Sequence, residues 1–161
     1  ETIHYPSRRN TPEASVIIRT FNEAKLIGQT LNAVMKQEGV EKEIIVIDSQ
    51  SSDKTVEIAR SFSVQIVEIK KEAFSYGAAL NLGVRLAQGK YIVNLSAHAL
   101  PKDSQWLKNI IQPLRENPMT VGVHGRELPM KNRCSPFEMK ILTDSFKDKF
   151  LERKNDFFFS R

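Results

Sequence analysis

Glycine-rich phosphate loops are missing from this sequence. No G-x-G-x-x-G follows the first β-branched run, so the dinucleotide fingerprint is absent. No G-x-x-x-x-G-K-[ST] occurs either, which excludes a P-loop protein. A phosphate bound by this chain therefore needs another counter-charge, a metal or a basic side chain. Cysteine occurs once, at Cys134, so no internal disulfide can form and a reducing compartment is expected. No apolar run reaches the ~20 residues that span a bilayer, and no stretch reads as a signal peptide. Repeats and low-complexity tracts are absent as well.

The chain has 161 residues, the length of one domain, and its hydrophobic fraction of 40% is enough for a sizeable core. The formal charge of +5 suits a nucleic-acid surface, a membrane surface or a phosphate-bearing small ligand. Lysine and arginine are scattered and no recognition motif appears, which argues against nucleic acid. Residues 1–14 are polar, carry Pro6 and Pro12, and read as an extended lead-in. The phenylalanines at 157–159 read as the start of a strand cut short, so the chain is expected to be a piece of a longer protein.

Four apolar residues, 44–47, run without a polar break before Asp48. Isoleucine and valine in such a run predict a strand covered on both faces. Further strands are predicted at residues 15–19, 64–69, 91–95 and 121–124. Helical spacing marks 25–38, through Leu26, Thr30, Leu31, Val34 and Met35, with Gly39 as its stop. It recurs at 53–62, at 78–87, and after Asp103, the expected cap of a helix bearing Trp106, Ile110 and Leu114. Phe137, Ile141 and Phe146 suggest one more helix.

Alternation of strands with helices of this length predicts βαβ units and a mostly parallel sheet. The polar loops at 20–23 and 48–52, the loop after Ile69 and the loop at 96–98 would then share one edge of the sheet. Ligands of open α/β sheets bind at that edge. Asp48 is accordingly read as a ligand contact or as a surface loop residue.

Here the residues resemble a known family. SVIIRTFNEA, EIIVIDSQSSDKT, a G-x-x-x-N-x-G segment from Gly77 to Gly83, and a strand ending near a proline look like an inverting family-2 glycosyltransferase. The resemblance covers residues 14–125 and implies the GT-A fold, a Rossmann-like α/β three-layer sandwich. FSYGAALNLG, NLSAHALP and HGRELP look like its rhamnosyltransferase-like, cell-surface polysaccharide branch. Residues 15–161 would form the nucleotide-sugar-binding domain, truncated on its acceptor side.

What the resemblance implies is a nucleotide-diphosphate sugar as donor, with UDP or dTDP preferred to GDP. Thr20 and Phe21 would border base and ribose, with Asn22 and Glu23 beside them. Asp48 would accept from the imide N–H of uracil or thymine, a match of acceptor to donor. Ser49 stands where many relatives have a second acid. Asp53 is read as a cap for the next helix. The loop from Phe74 through Ser75 to Gly77 would flank the phosphates, braced by Asn81. Where most relatives carry an acidic metal motif, this chain has Ser96-Ala97-His98. His98 is read as a ligand for Mn²⁺ or Mg²⁺, or as a phosphate contact, or as packing against Pro101. Arg126 and Glu127 face the sugar or form a surface pair, and Lys70-Lys71-Glu72 reads as a solvated charge run.

The implied reaction transfers the sugar with inversion to a glycan or lipid-linked acceptor, in the cytoplasm or at the inner face of the membrane. The general base is expected beyond residue 161. The rival is a non-catalytic nucleotide-sugar-binding module that has lost its acidic motif.

Overall fold

The computed structural model describes residues 2–4, 11–73, 75–125, 127–129 and 135–145. Residues 1–123 and 124–161 form two compact units. The first unit carries a five-stranded sheet. Its strands are β1 (Thr2–His4), β2 (Ala14–Thr20), β3 (Lys42–Asp48), β4 (Gln65–Glu68) and β5 (Tyr91–Ser96). They lie in the order β1-β4-β3-β2-β5. All neighbours are parallel except β1, which pairs antiparallel with β4. The predicted strand at 44–47 is thus central.

Alternate residues of each strand feed two cores. Val16, Ile18, Ile44 and Val46 face a cluster completed by α1 (Ile27–Met35), α2 (Thr55–Arg60) and α4 (Trp106–Glu116). Ile17, Ile45, Ile47 and Val67 face α3 (Tyr76–Leu86) on the other side. The result is helix, sheet, helix in three layers. Gly83 lets α3 lie close to the sheet: a Cβ there would stand 2.5 Å from Cγ2 of Ile17. At the opposite edge from the polar loops, Gly89 donates its N–H to Ser15 Oγ at 2.8 Å, and a Cβ on it would collide with the β2 backbone.

Several sequence expectations change. The lead-in contributes β1, a strand that pairing with β4 creates out of an unpatterned segment. Helix α1 stops at Met35, short of Gly39, because Gln37 turns inward to serve α4. Its Oε1 accepts from Leu107 N at 2.8 Å, and its Nε2 donates to the Asp103 carbonyl at 2.7 Å. Asp103 itself accepts from Gln105 N at 3.0 Å. It stands two residues ahead of the cap position, Gln105, so it closes the turn before α4 and does not cap the helix. The strand expected at 121–124 is coil, and Val121 is fully exposed. A four-residue run interrupted by Gly122 finds no strand to pair with among the described residues. In the second unit, α5 (Pro136–Ser145) is the predicted helix, with Phe137 and Ile141 exposed. Phe74, Arg126, Cys134, Phe146 and residues 157–159 lie outside the described residues.

Candidate functional site

Strand β2 is the first parallel strand, and its neighbours β3 and β5 lie on opposite sides of it. Strand order therefore reverses at the β2/β5 junction, the switch point where open α/β sheets leave a crevice. A cleft of about 400 Å³ opens there, beyond the carboxyl ends of the strands. The volume lies within the range of small-molecule sites.

The β2 end supplies Arg19, Thr20 and Phe21, and the following loop supplies Glu23. Thr20 is buried, and its hydroxyl has no hydrogen-bond partner among the described residues. A buried hydroxyl left unpaired is costly, so it marks a wall that expects a polar guest. The β3 loop supplies Ser49, the 3₁₀ turn Lys71–Ala73 supplies Lys71, and α3 supplies Tyr76. Ser96 and His98 arrive from β5. Of the residues expected in the site, Thr20, Phe21, Glu23, Ser49, Ser96 and His98 are thus brought together.

The remaining expected residues lie around the cleft. Asn22, at a φ of 53°, accepts from Ser52 N through Oδ1 and donates its own N–H to Ser51 Oγ, both at 2.8 Å. It ties the β2 loop to the β3 loop. Asp53 makes a second tie, accepting from Ala24 N at 3.1 Å and from both the amide and hydroxyl of Thr55. The Thr55 hydroxyl chiefly holds the Asp53 carboxyl below its ordinary range. Helix α2 starts only at Thr55, so Asp53 is a bridge between loops and not the expected cap.

Asp48 does not line the cleft. It is fully buried, and its two oxygens accept from the amide and the hydroxyl of Ser51. Burial pushes its carboxyl up, the Ser51 bonds pull it back, and the charges of Glu68 and Asp53 add to the rise. Ser75 caps α3, accepting from Ala78 N at 3.1 Å. Gly77 and Asn81 are exposed on α3, and Asn81 makes no side-chain hydrogen bond among the described residues.

His98 is placed by the turn that carries it. Thr30 Oγ1 donates to the Ala97 carbonyl at 2.7 Å, and Ala97 N donates to the Arg19 carbonyl at 3.3 Å. The imidazole meets Glu23, with Nδ1 2.9 Å from Oε1. A carboxylate only accepts, so Nδ1 carries the proton and Nε2 is the nitrogen left for a ligand. Among the described residues no three His, Cys, Asp or Glu side chains gather as a metal cage.

Two lining residues, Arg19 and Lys71, escaped the sequence reading, and Tyr76 lies in the loop expected to flank the phosphates. The Arg19 guanidinium lies 4.8 Å from the centre of the Tyr76 ring, and the Lys71 ammonium 5.2 Å from that of Phe21. Arg19 reads in sequence as the end of a strand, and Lys71 as part of a solvated run. The available signal was their place at the carboxyl ends of parallel strands.

The profile of glycosyl transferase family 2 matches residues 15–160. The O-antigen chain rhamnosyltransferase RfbN of Salmonella typhimurium is 32% identical over 120 residues, 73% of this chain. Glycosyltransferase AglE of Haloferax volcanii is 38% identical over 104 residues, 60% of this chain. This chain spans 38% of the first relative and 34% of the second. Among solved structures, the mannosyltransferase PcManGT from Pyrobaculum calidifontis, in complex with GDP-Man and Mn²⁺, superposes with a TM-score of 0.58 at 30% identity. That match covers 66% of this chain and 33% of the other. TarS of S. aureus with UDP-GlcNAc gives 0.60 at 24% identity, a likeness of fold, over 73% of this chain and 37% of its own.

Proposed function

Since the chain belongs to glycosyl transferase family 2 and has the GT-A fold, we propose that its cleft binds a nucleotide-diphosphate sugar for transfer to an acceptor hydroxyl in glycan synthesis. The observation that carries the reading is the cleft at the β2/β5 switch point, walled by the unpartnered Thr20 hydroxyl and by two cations. In the proposed reaction the acceptor oxygen bonds to the anomeric carbon as the bond from that carbon to the diphosphate breaks. The anomeric configuration inverts, the nucleoside diphosphate leaves, and a base takes the acceptor proton. No described residue is assigned as that base.

A divalent ion fits the residues present as one shared with the donor. Dications on nucleotide phosphates keep several waters and take few protein ligands. His98 would supply one of them through Nε2, with Glu23 fixing its tautomer, the pairing by which carboxylates orient ligating imidazoles. The ion would neutralise charge on the departing diphosphate. Asp48 has both oxygens on Ser51 and does not reach the cleft, so a preference for UDP or dTDP over GDP rests on the family resemblance alone. The acceptor is a glycan or a lipid-linked glycan, and a lipid-linked one would draw the protein to the inner membrane face. No described helix is long and apolar enough to cross a membrane.

Calorimetry against UDP, dTDP and GDP, with Mn²⁺ and with chelator, tests the reading. Binding of one nucleotide, strengthened by Mn²⁺, is the expected result. His98→Ala should remove the Mn²⁺ increment, and Glu23→Gln should reduce it. A protein blind to all three nucleotides would sink the proposal.

A further inference from the structure

We infer that Arg19 and Lys71 form a cationic clamp on the diphosphate of the donor, with Tyr76 and Phe21 as the rests that hold the cations in place. The inference rests on the reading of the cleft as a nucleotide-sugar site. Both cations line the cleft, and neither has an ion-pair partner among the described residues. Arg60 and Arg115, away from the cleft, are paired with Glu68 and Glu13. Two unpaired cations at one crevice form a site for negative charge.

The chain's construction brings them there. Arg19 follows Ser15 and Ile17 on the α3 face of β2, so its stem leaves the sheet beneath the first turn of α3. Tyr76, the first residue of that helix, lies under the guanidinium. Gly83 sets how near α3 comes to β2, and so sets the height of that ring. Lys71 is fixed at its backbone, where its N–H donates to Gln50 Oε1 at 2.9 Å. That contact ties the 3₁₀ turn to the β3 loop, and the ammonium reaches the face of Phe21.

Stacking suits this task. A guanidinium lying on a ring keeps its N–H edges free in its own plane, and those edges match two phosphate oxygens at once. An ammonium over a ring keeps a compact charge for the second phosphate. The chain has no glycine-rich phosphate turn and no acidic motif at 96–98 to load a dication fully. The clamp supplies the counter-charge those devices would have given.

The test is calorimetry of the whole chain with UDP, UMP and uridine, repeated with the guanosine and thymidine series and with free pyrophosphate as competitor. Wild type should prefer the diphosphate, and pyrophosphate should displace it. Arg19→Gln and Lys71→Gln should each weaken the diphosphate about tenfold or more, the loss of a charge-assisted contact. The nucleoside should be unaffected. Arg19→Lys should recover only part, since an ammonium lacks the fork. Tyr76→Leu should weaken the diphosphate by a smaller factor and leave the nucleoside alone. Unfolding midpoints check that the variants are folded. Unchanged diphosphate affinity in both glutamine variants overturns the clamp and leaves the donor reading standing. A nucleoside that binds more weakly to Tyr76→Leu, with the diphosphate indifferent to Arg19→Gln, makes the ring a base platform and also overturns it. A wild type that binds no nucleotide removes both.

Discussion

Asp48 commits both carboxylate oxygens to Ser51 in a position shut off from solvent. Ser51 in turn accepts from Asn22 N, so one buried acid sets the loops after β2 and β3 together. The sequence marks Asp48 by its place after an apolar run, but a loop lock and a ligand contact read alike there. Its raised pKa has a consequence for stability. Above the folded pKa, the ionised carboxylate costs more in the native state than in the unfolded chain. As pH falls toward the ordinary value of 3.8, the folded state takes up the proton first and that cost disappears. Asp48→Asn should therefore raise stability near neutral pH, and its advantage should shrink as pH falls through the raised pKa. Urea unfolding at several pH values measures this. A variant less stable than wild type at neutral pH would show that the Ser51 bonds outweigh desolvation.

Helix α3 carries Tyr76 to the cleft, and its distance from the sheet depends on one hydrogen atom at Gly83. Alanine there gains helix propensity of about 0.8–1 kcal/mol, yet its Cβ would stand 2.5, 3.0 and 3.2 Å from three atoms of Ile17. Crowding of that kind costs about 1–3 kcal/mol, so Gly83→Ala should destabilise on balance. Ile17→Ala removes all three atoms, so the double variant should lose less than the sum of the two singles. Unfolding of the four proteins checks the coupling, and simple additivity would mean the helix shifts freely. Strands β2 to β5 were legible because β-branched runs bounded by polar loops leave few alternatives. Helix ends were not, because their partners come from far along the chain. Gln37 serves α4 across seventy residues, and Asp53 binds Ala24 in another loop. Strand β1 carries no pattern of its own and exists through β4. The cleft was legible as four converging loops, but its cations were not, since a strand end and a charge run reveal no neighbour.

Across the whole molecule, the sheet order brings Arg19 and Lys71 to one mouth from positions fifty-two residues apart, while the chain as a whole carries +5. Both charges draw an anionic donor, and ionic strength separates them. Screening shortens the reach of a charge from about 10 Å at 0.1 M salt to about 3 Å at 1 M. Diphosphate affinity should fall several-fold between about 0.05 and 0.5 M salt, while nucleoside affinity should stay level. Substituting two cations by glutamine lowers the net charge from +5 to +3 wherever they are. If attraction resides in the cleft, the Arg19→Gln, Lys71→Gln pair should flatten the salt dependence. The Lys36→Gln, Lys102→Gln pair, at two exposed positions away from the cleft, should keep it. Association rates by stopped flow and affinities by calorimetry give both readouts. Equal flattening in the two pairs would assign the attraction to the net charge of the molecule. A slope lost only with Arg19 and Lys71 assigns it to two side chains that the fold holds at the switch point of the sheet.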